Sequence, residues 1–285
     1  MIRIPFLNKE FQSKTEVVTY LKQNKQQLVN LKKAKEHHTD AAKFQYTFLA
    51  EGKPVDVSKA NAGTNPVPDN VDTIQVKVVM NSTNWLDSHL DVHIPGIWKK
   101  TLEQNANKGF YLLQEHNASF DKVISHQSDV QVYTEFKNWT ELGVNASGQS
   151  ECLIFEATIK KSVNPFMFEQ YKNQYVKNHS VGMMYVHIGL AIYDENDEKE
   201  MEYWNKYRPQ VINGERADEL GFFWVVTEAK LREGSAVLFG SNEITPTLET
   251  TETKEEQPSN HEKPSDDISS DPPQEKKRSQ NLLLI

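Results

Sequence analysis

Asn164–Tyr193 reads NPFMFEQYKNQYVKNHSVGMMYVHIGLAIY, and its two halves follow different periods. Asn164 is a good N-cap, and Pro165 suits the first helical position, where its missing N–H costs nothing. Phe168, Tyr171 and Tyr175 recur at helical spacing. That spacing predicts a helix with a buried stripe, ending near Lys177 or Asn178. SVGMMYVHIGLAIY then predicts a long strand. Ser180 falls at the corner between the two.

Outward from this stretch, strand patterns dominate. IQVKVVMN (Ile74–Asn81) alternates, with Ile74, Val76 and Val78 on one face, and ECLIFEATIK (Glu151–Lys160) does the same. GFYLLQEH (Gly109–His116) predicts an apolar strand running into His116. KVISHQSDVQVYTEF (Lys122–Phe136) predicts one or two strands. FFWVVTEAKLREGSAVLF (Phe222–Phe239) predicts the partner strands of Ser180–Tyr193. The polar stretch Asp194–Leu220 reads as a surface insertion in that hairpin, with a helix around Met201–Tyr207. Pro95-Gly96 marks a turn before a short helix over Ile97–Asn105. Many strands and few intervening helices predict a mostly antiparallel β core with flanking helices, an α+β class. A closed or nearly closed barrel would remove exposed strand edges.

The flanks read differently. Lys14–His38 predicts an amphipathic helix with a narrow apolar face of Val17, Val18, Leu21, Leu28 and Leu31, docked on a neighbour or loosely packed. Glu51–Asn70, rich in Gly, Pro, Asn and Asp, predicts a linker. Glu249–Asn281 has one large aliphatic residue, Ile268, and predicts disorder, because burial there cannot offset chain entropy. The chain closes on KKRSQNLLLI, whose last four residues are apolar. The expected organisation is a helical segment and linker over 1–70, a main domain over 71–248 and an acidic tail over 249–285.

Composition narrows the function. A formal net charge of −8 disfavours nucleic acid as the main partner. No apolar run reaches the ~18 residues of a membrane helix, so no membrane role is expected. The opening MIRIPFLNKEF lacks a secretory pattern, which places the expectation in a cytoplasm. The single cysteine, Cys152, forms no internal disulfide and reads as a small buried apolar side chain.

A serine nucleophile needs a base, and the base needs a third group to orient its ring. His116 stands where an apolar strand leaves the core, and Ser180 stands at a helix-to-strand corner with Gly182 leaving backbone room nearby. Glu228 and Glu233 both lie on the returning strand. Strict alternation would turn them to opposite faces, so one alone would reach the site unless a bulge intervenes. Oxyanion donors would be backbone N–H groups, which carry no residue signature. A competing reading is a metal hydrolase built on His89 and His93 with Asp87 and Asp91. Leu90 stands where its general-base Glu would be, and Pro95-Gly96 argues against the helix that pairing requires. No metal or other cofactor is expected.

Four segments, in order, resemble the prohead protease family of tailed bacteriophages. NWLDSHLDVHIPGIWKKTL (Asn84–Leu102) resembles its opening motif, FYLLQEHNASFDKVIS (Phe110–Ser125) its histidine motif, VKNHSVGMMY (Val176–Tyr185) its Ser-Ile-Gly-Phe motif, and VVTEAKLREGSAVLFGSN (Val225–Asn242) its closing strand. Leu90 and Ile97 stand where the opening motif has Gly and Ala, and Gly234 where the closing strand has Val. The resemblance implies a fold like the herpesvirus capsid protease, a β barrel wrapped by helices. It implies a serine endopeptidase with Ser180 as nucleophile, His116 as base and Glu233, in place of that protease's second histidine, as the preferred third member over Glu228. It implies scaffold and capsid proteins as substrates, self-cleavage, and action inside an immature prohead in the host bacterial cytoplasm; it leaves homodimerisation open. The competing reading within this fold is a non-catalytic capsid-assembly or scaffold protein.

Overall fold

A computed structural model describes residues 2–4, 7, 9–37 and 70–252. The expected linker over 51–69 and most of the expected tail, 253–285, lie outside the described residues. Strands β1 (Ile2–Arg3) and β2 (Glu10–Phe11) precede helix α1 (Lys14–Ala34), followed by β3 (Glu36–His37). Then come β4 (Thr73–Ser82), β5 (Asp91–His93), α2 (Lys99–Asn105), β6 (Leu112–Gln114), β7 (Val123–Ser125), β8 (Val130–Asn138) and β9 (Gln149–Lys160). The chain continues with α3 (Pro165–Lys172), β10 (Asn178–Ile192), α4 (Glu198–Tyr207), α5 (Glu215–Leu220), β11 (Phe222–Val237) and β12 (Thr247–Glu252).

The architecture is mixed α and β and rich in strand. The larger sheet runs β3-β10-β11-β6-β7, with β5 added beside β11, and the smaller runs β12-β4-β9-β8. Their inner faces share one core, in which Val76, Val78 and Met80 of β4 and Phe155 of β9 meet Val181, Met183 and Tyr185 of β10 and Leu231 of β11. The β10–β11 hairpin is its spine, paired antiparallel from Asn178↔Val237 to Ile192↔Phe222. The insertion at its tip is not merely superficial: α4 turns Trp204 and Tyr207 into the core and α5 turns in Leu220.

Three boundaries differ from the sequence expectation. Helix α3 is capped by Asn164, whose side chain accepts the Met167 N–H at 3.0 Å, and it buries Phe168 and Tyr171. It ends at Lys172 because Gln174 turns left-handed (φ 59°), which leaves Tyr175 exposed rather than in the stripe. The second difference is the tail. Glu249–Glu252 belong to β12, paired from Glu249↔Lys77 to Glu252↔Ile74, with Thr250 buried. Low apolar content misjudges this segment because its β-branched threonines favour an extended chain, and the edge of β4 supplies backbone hydrogen bonds. Third, α1 belongs to the same compact unit as the sheets. It buries Val17, Leu21 and Leu28, and its Lys32 ion-pairs with Asp91 at the start of β5.

Candidate active site

β10, β11 and β6 are neighbours, and the register of β10 on β11 sets Ser180 and Gly182 beside the Glu233–Ser235 segment. Ser180 lies directly opposite Ser235, and Gly182 opposite Glu233. Side chains two apart on a strand share a face, as do those directly opposite, with Cβ atoms about 5 Å apart. Gly234, between Glu233 and Ser235, faces Phe155 and Met80 in the core. Ser180, Gly182, Glu233 and Ser235 therefore share the opposite face of the sheet.

β6 delivers the histidine to that face. It runs parallel to β11, with Leu113↔Ser235 and Gln114↔Ala236, and the Glu115 N–H extends the ladder to the Ala236 carbonyl at 2.9 Å. Glu115 and His116 then both turn left-handed, at φ 53° and 56°, which folds the chain back over β11. For a non-glycine residue that conformation costs roughly 1 kcal/mol, so two in succession need compensation. It comes from the site: the His116 N–H donates to Ser235 Oγ at 3.0 Å, and His116 Nδ1 meets Glu233 Oε1 at 2.6 Å. Glu233 Oε2 accepts the Ser235 hydroxyl proton at 2.6 Å. A carboxylate at Nδ1 selects the tautomer with its proton there, so Nε2 carries the lone pair of the neutral ring. The Ser180 residue is 6 % exposed and the His116 side chain 8 %.

Gly182 has a different task from the one its position suggests. A Cβ there would collide with the Glu233 carboxylate, so the missing side chain makes room for the site's own acid. Glu228 lies elsewhere, bonded to Lys100 at 3.1 Å and to His187 at 2.9 Å. The Lys100 hydrogen bond, with its charge and that of His187, holds the Glu228 carboxyl below the usual range. Strict alternation fails because β11 carries an extra residue at Arg232, between Leu231↔Met183 and Glu233↔Gly182. The bulge reverses the phase, so both glutamates leave the core side. They stand roughly 15 Å apart along the strand.

The metal reading meets a different chemistry. Ligand atoms of Asp87, His89 and Asp91 lie within 4.8 Å of one another. Yet Asp91 is ion-paired with the Lys32 ammonium and accepts the Tyr185 hydroxyl at 2.7 Å, while Asp87 Oδ1 accepts the His89 and Asp91 N–H groups, each at 2.8 Å. His93 sits on β5, not on a helix, and its Nδ1 pairs with the Asn81 amide at 2.7 Å. The carboxylates already have a cation and donors. Cys152 is fully buried, and burial pushes its thiol up to about 11, so it is no nucleophile.

Two openings lie near the ends of β10 and β11. A groove of about 380 Å³ is lined by Glu115, Phe166, Tyr175, Asn178, Val237 and Leu238. A separate narrow slot is lined by Ser180, His89, His179, Ser241 and Asn242. Ser235 was not among the sequence candidates; a serine two residues after a glutamate on a strand was the available signal, and only the cross-strand register gives it meaning.

A serine, an imidazole with its lone pair at Nε2 and a carboxylate on one sheet face are the groups required for nucleophilic acyl transfer. No family model, curated protein or solved structure matches the chain.

Proposed function

We propose that this chain is a serine endopeptidase of the prohead-protease kind, with Ser180 as nucleophile, His116 as general base and Glu233 as the group that orients the ring. The supporting observation is that the Glu233–His116 pair, at 2.6 Å, sits on the sheet face that carries Ser180. In the proposed reaction His116 Nε2 removes the Ser180 proton as Oγ attacks a peptide carbonyl. The imidazolium formed is stabilised by Glu233, and the proton passes to the leaving amine. Water then releases the acyl group by the same steps.

The barrel is proposed to follow the herpesvirus capsid protease, with the β10–β11 hairpin at its centre. The substrates are proposed to be scaffold and capsid proteins, with self-cleavage, inside an immature prohead in the bacterial cytoplasm.

A fluorophosphonate probe on the full chain tests the reading. Covalent labelling at Ser180, abolished in Ser180→Ala, is the expected result. Absence of labelling, together with unprocessed scaffold on co-expression, would leave a capsid-assembly protein that retains the fold.

A further inference from the structure

Ser235 makes two hydrogen bonds inside the site. Its hydroxyl donates to Glu233 Oε2 at 2.6 Å and accepts the His116 main-chain N–H at 3.0 Å. It is fully buried and lies directly opposite Ser180. Ser235 has no exposed surface and gives its hydroxyl proton to Glu233, whereas Ser180 keeps 6 % of its surface exposed, so Ser180 rather than Ser235 is the serine open to a substrate.

The geometry defines a different task. A glutamate reaches its partner through three rotatable bonds, and one hydrogen bond to Nδ1 leaves the carboxylate free to swing about that contact. The second bond, to Ser235, fixes the plane of the carboxylate. Gly182 opens the floor beneath it, since a Cβ there would collide with Glu233. The same hydroxyl also holds the main chain of His116, which is left-handed together with Glu115. Ser235 thus ties the acid and the backbone of the base to one atom, which fixes where Nε2 points.

We propose that Ser235 is a positioning residue of this site, setting the Glu233 carboxylate and the His116 main chain in register so that the imidazole is aimed at Ser180. The proposal rests on the serine-hydrolase reading. It predicts that Ser235→Ala slows fluorophosphonate labelling of Ser180 by about 10–100-fold, by analogy with the cost of removing a partner that orients a metal-ligating histidine. For a cleavable peptide, kcat falls and KM is unchanged. Ser235→Thr, which keeps the hydroxyl, restores most of the rate. Ser235→Cys keeps the volume but offers only a weak donor, and it behaves like the alanine variant.

The second readout needs no activity. Ring ¹⁵N shifts of His116 in the full chain report its tautomer, and Ser235→Ala moves them toward a mixture of Nδ1–H and Nε2–H forms. Equal labelling rates and equal ring shifts in wild type and Ser235→Ala overturn the proposal while the hydrolase reading stands. A wild type that never labels, with ring shifts that still move in Ser235→Ala, sinks the hydrolase reading and leaves the positioning role. Should Ser235→Ala fail to fold, the Thr and Cys variants decide: equal rates and ring shifts in those two overturn the proposal.

Discussion

At the scale of single residues, the proposed site depends on hydrogen bonds that a substitution can remove one at a time. Ser180→Ala should lower peptide cleavage by 10^4-fold or more, and His116→Ala nearly as much, because nucleophile and base act as a unit. Glu233→Ala should cost less, since an orienting group is the smallest loss of the three. Glu228→Ala should leave the rate within about twofold, its partners being Lys100 and His187. A larger loss from Glu228→Ala than from Glu233→Ala in single-turnover assays would refute the assignment. Gly182→Ala places a methyl group against the Glu233 carboxylate and should separate it from His116, with a loss of activity larger than any loss of stability. Ser180, His116 and Glu233 were legible as candidates from residue type and from their places beside or on expected strands. Ser235 was not, because its importance lies in the strand across from it. Nor could alternation decide between the glutamates, because the bulge at Arg232 leaves no residue signature.

At the scale of elements, the long strands and the caps were readable. Alternation marks β4 and β9 correctly, and Asn164-Pro165 marks the start of α3. The end of α3 was not readable, since a left-handed Gln174 is a local choice that propensity does not predict. Helix α1 shows what a narrow apolar face conceals. Its anchor is a charge: Lys32 is buried and ion-paired with Asp91, which also accepts from Tyr185 of β10. Burial alone would raise the Asp91 carboxyl; the Lys32 ammonium and neighbouring histidines outweigh it and hold the carboxyl below its ordinary value. Lys32→Met removes the cation and leaves a buried carboxylate without its charge partner. The expected loss is about 3–5 kcal/mol of unfolding free energy, measured by urea denaturation. Lys32→Met combined with Asp91→Leu should recover much of it, because a matched apolar pair avoids the desolvation cost. A loss below 1 kcal/mol in Lys32→Met would mean that α1 is held by its apolar stripe alone.

Over the whole molecule, the long strands and the β10–β11 hairpin were legible, while the short strands, β12 and the remaining pairings were not. The pairing of β6 with β11 joins Leu112 to Gly234, and no local pattern encodes a contact across that separation. The same long-range packing buries ionisable groups whose titration should shape stability. Burial lowers His93 and His179 to about 4 and also lowers His37. In its neutral form His179 uses both nitrogens, Nδ1 on the Thr245 carbonyl at 2.9 Å and Nε2 on the Tyr171 hydroxyl at 3.0 Å. Burial and then the Asp91 charge raise Asp87 to about 8.

These shifts act with opposite sign. Between pH 4 and 6.5 the unfolded chain binds more protons on the histidines than the folded chain gains at Asp87, so stability rises with pH. Above the ordinary histidine value of about 6.5 that difference fades over about one pH unit. Asp87 then binds more protons folded than unfolded, and stability falls until about pH 8. Stability, and the thermal midpoint with it, should therefore peak near pH 6.5 and fall toward both pH 4 and pH 8, the alkaline fall being roughly 1 kcal/mol at about 1.4 kcal/mol per proton per pH unit. Asp87→Asn should abolish the alkaline decline and keep the acid one, because its amide cannot titrate while the histidines remain buried. Calorimetry of both proteins from pH 4 to 9 distinguishes this from general charge repulsion, which would give Asp87→Asn the same alkaline decline as the wild type.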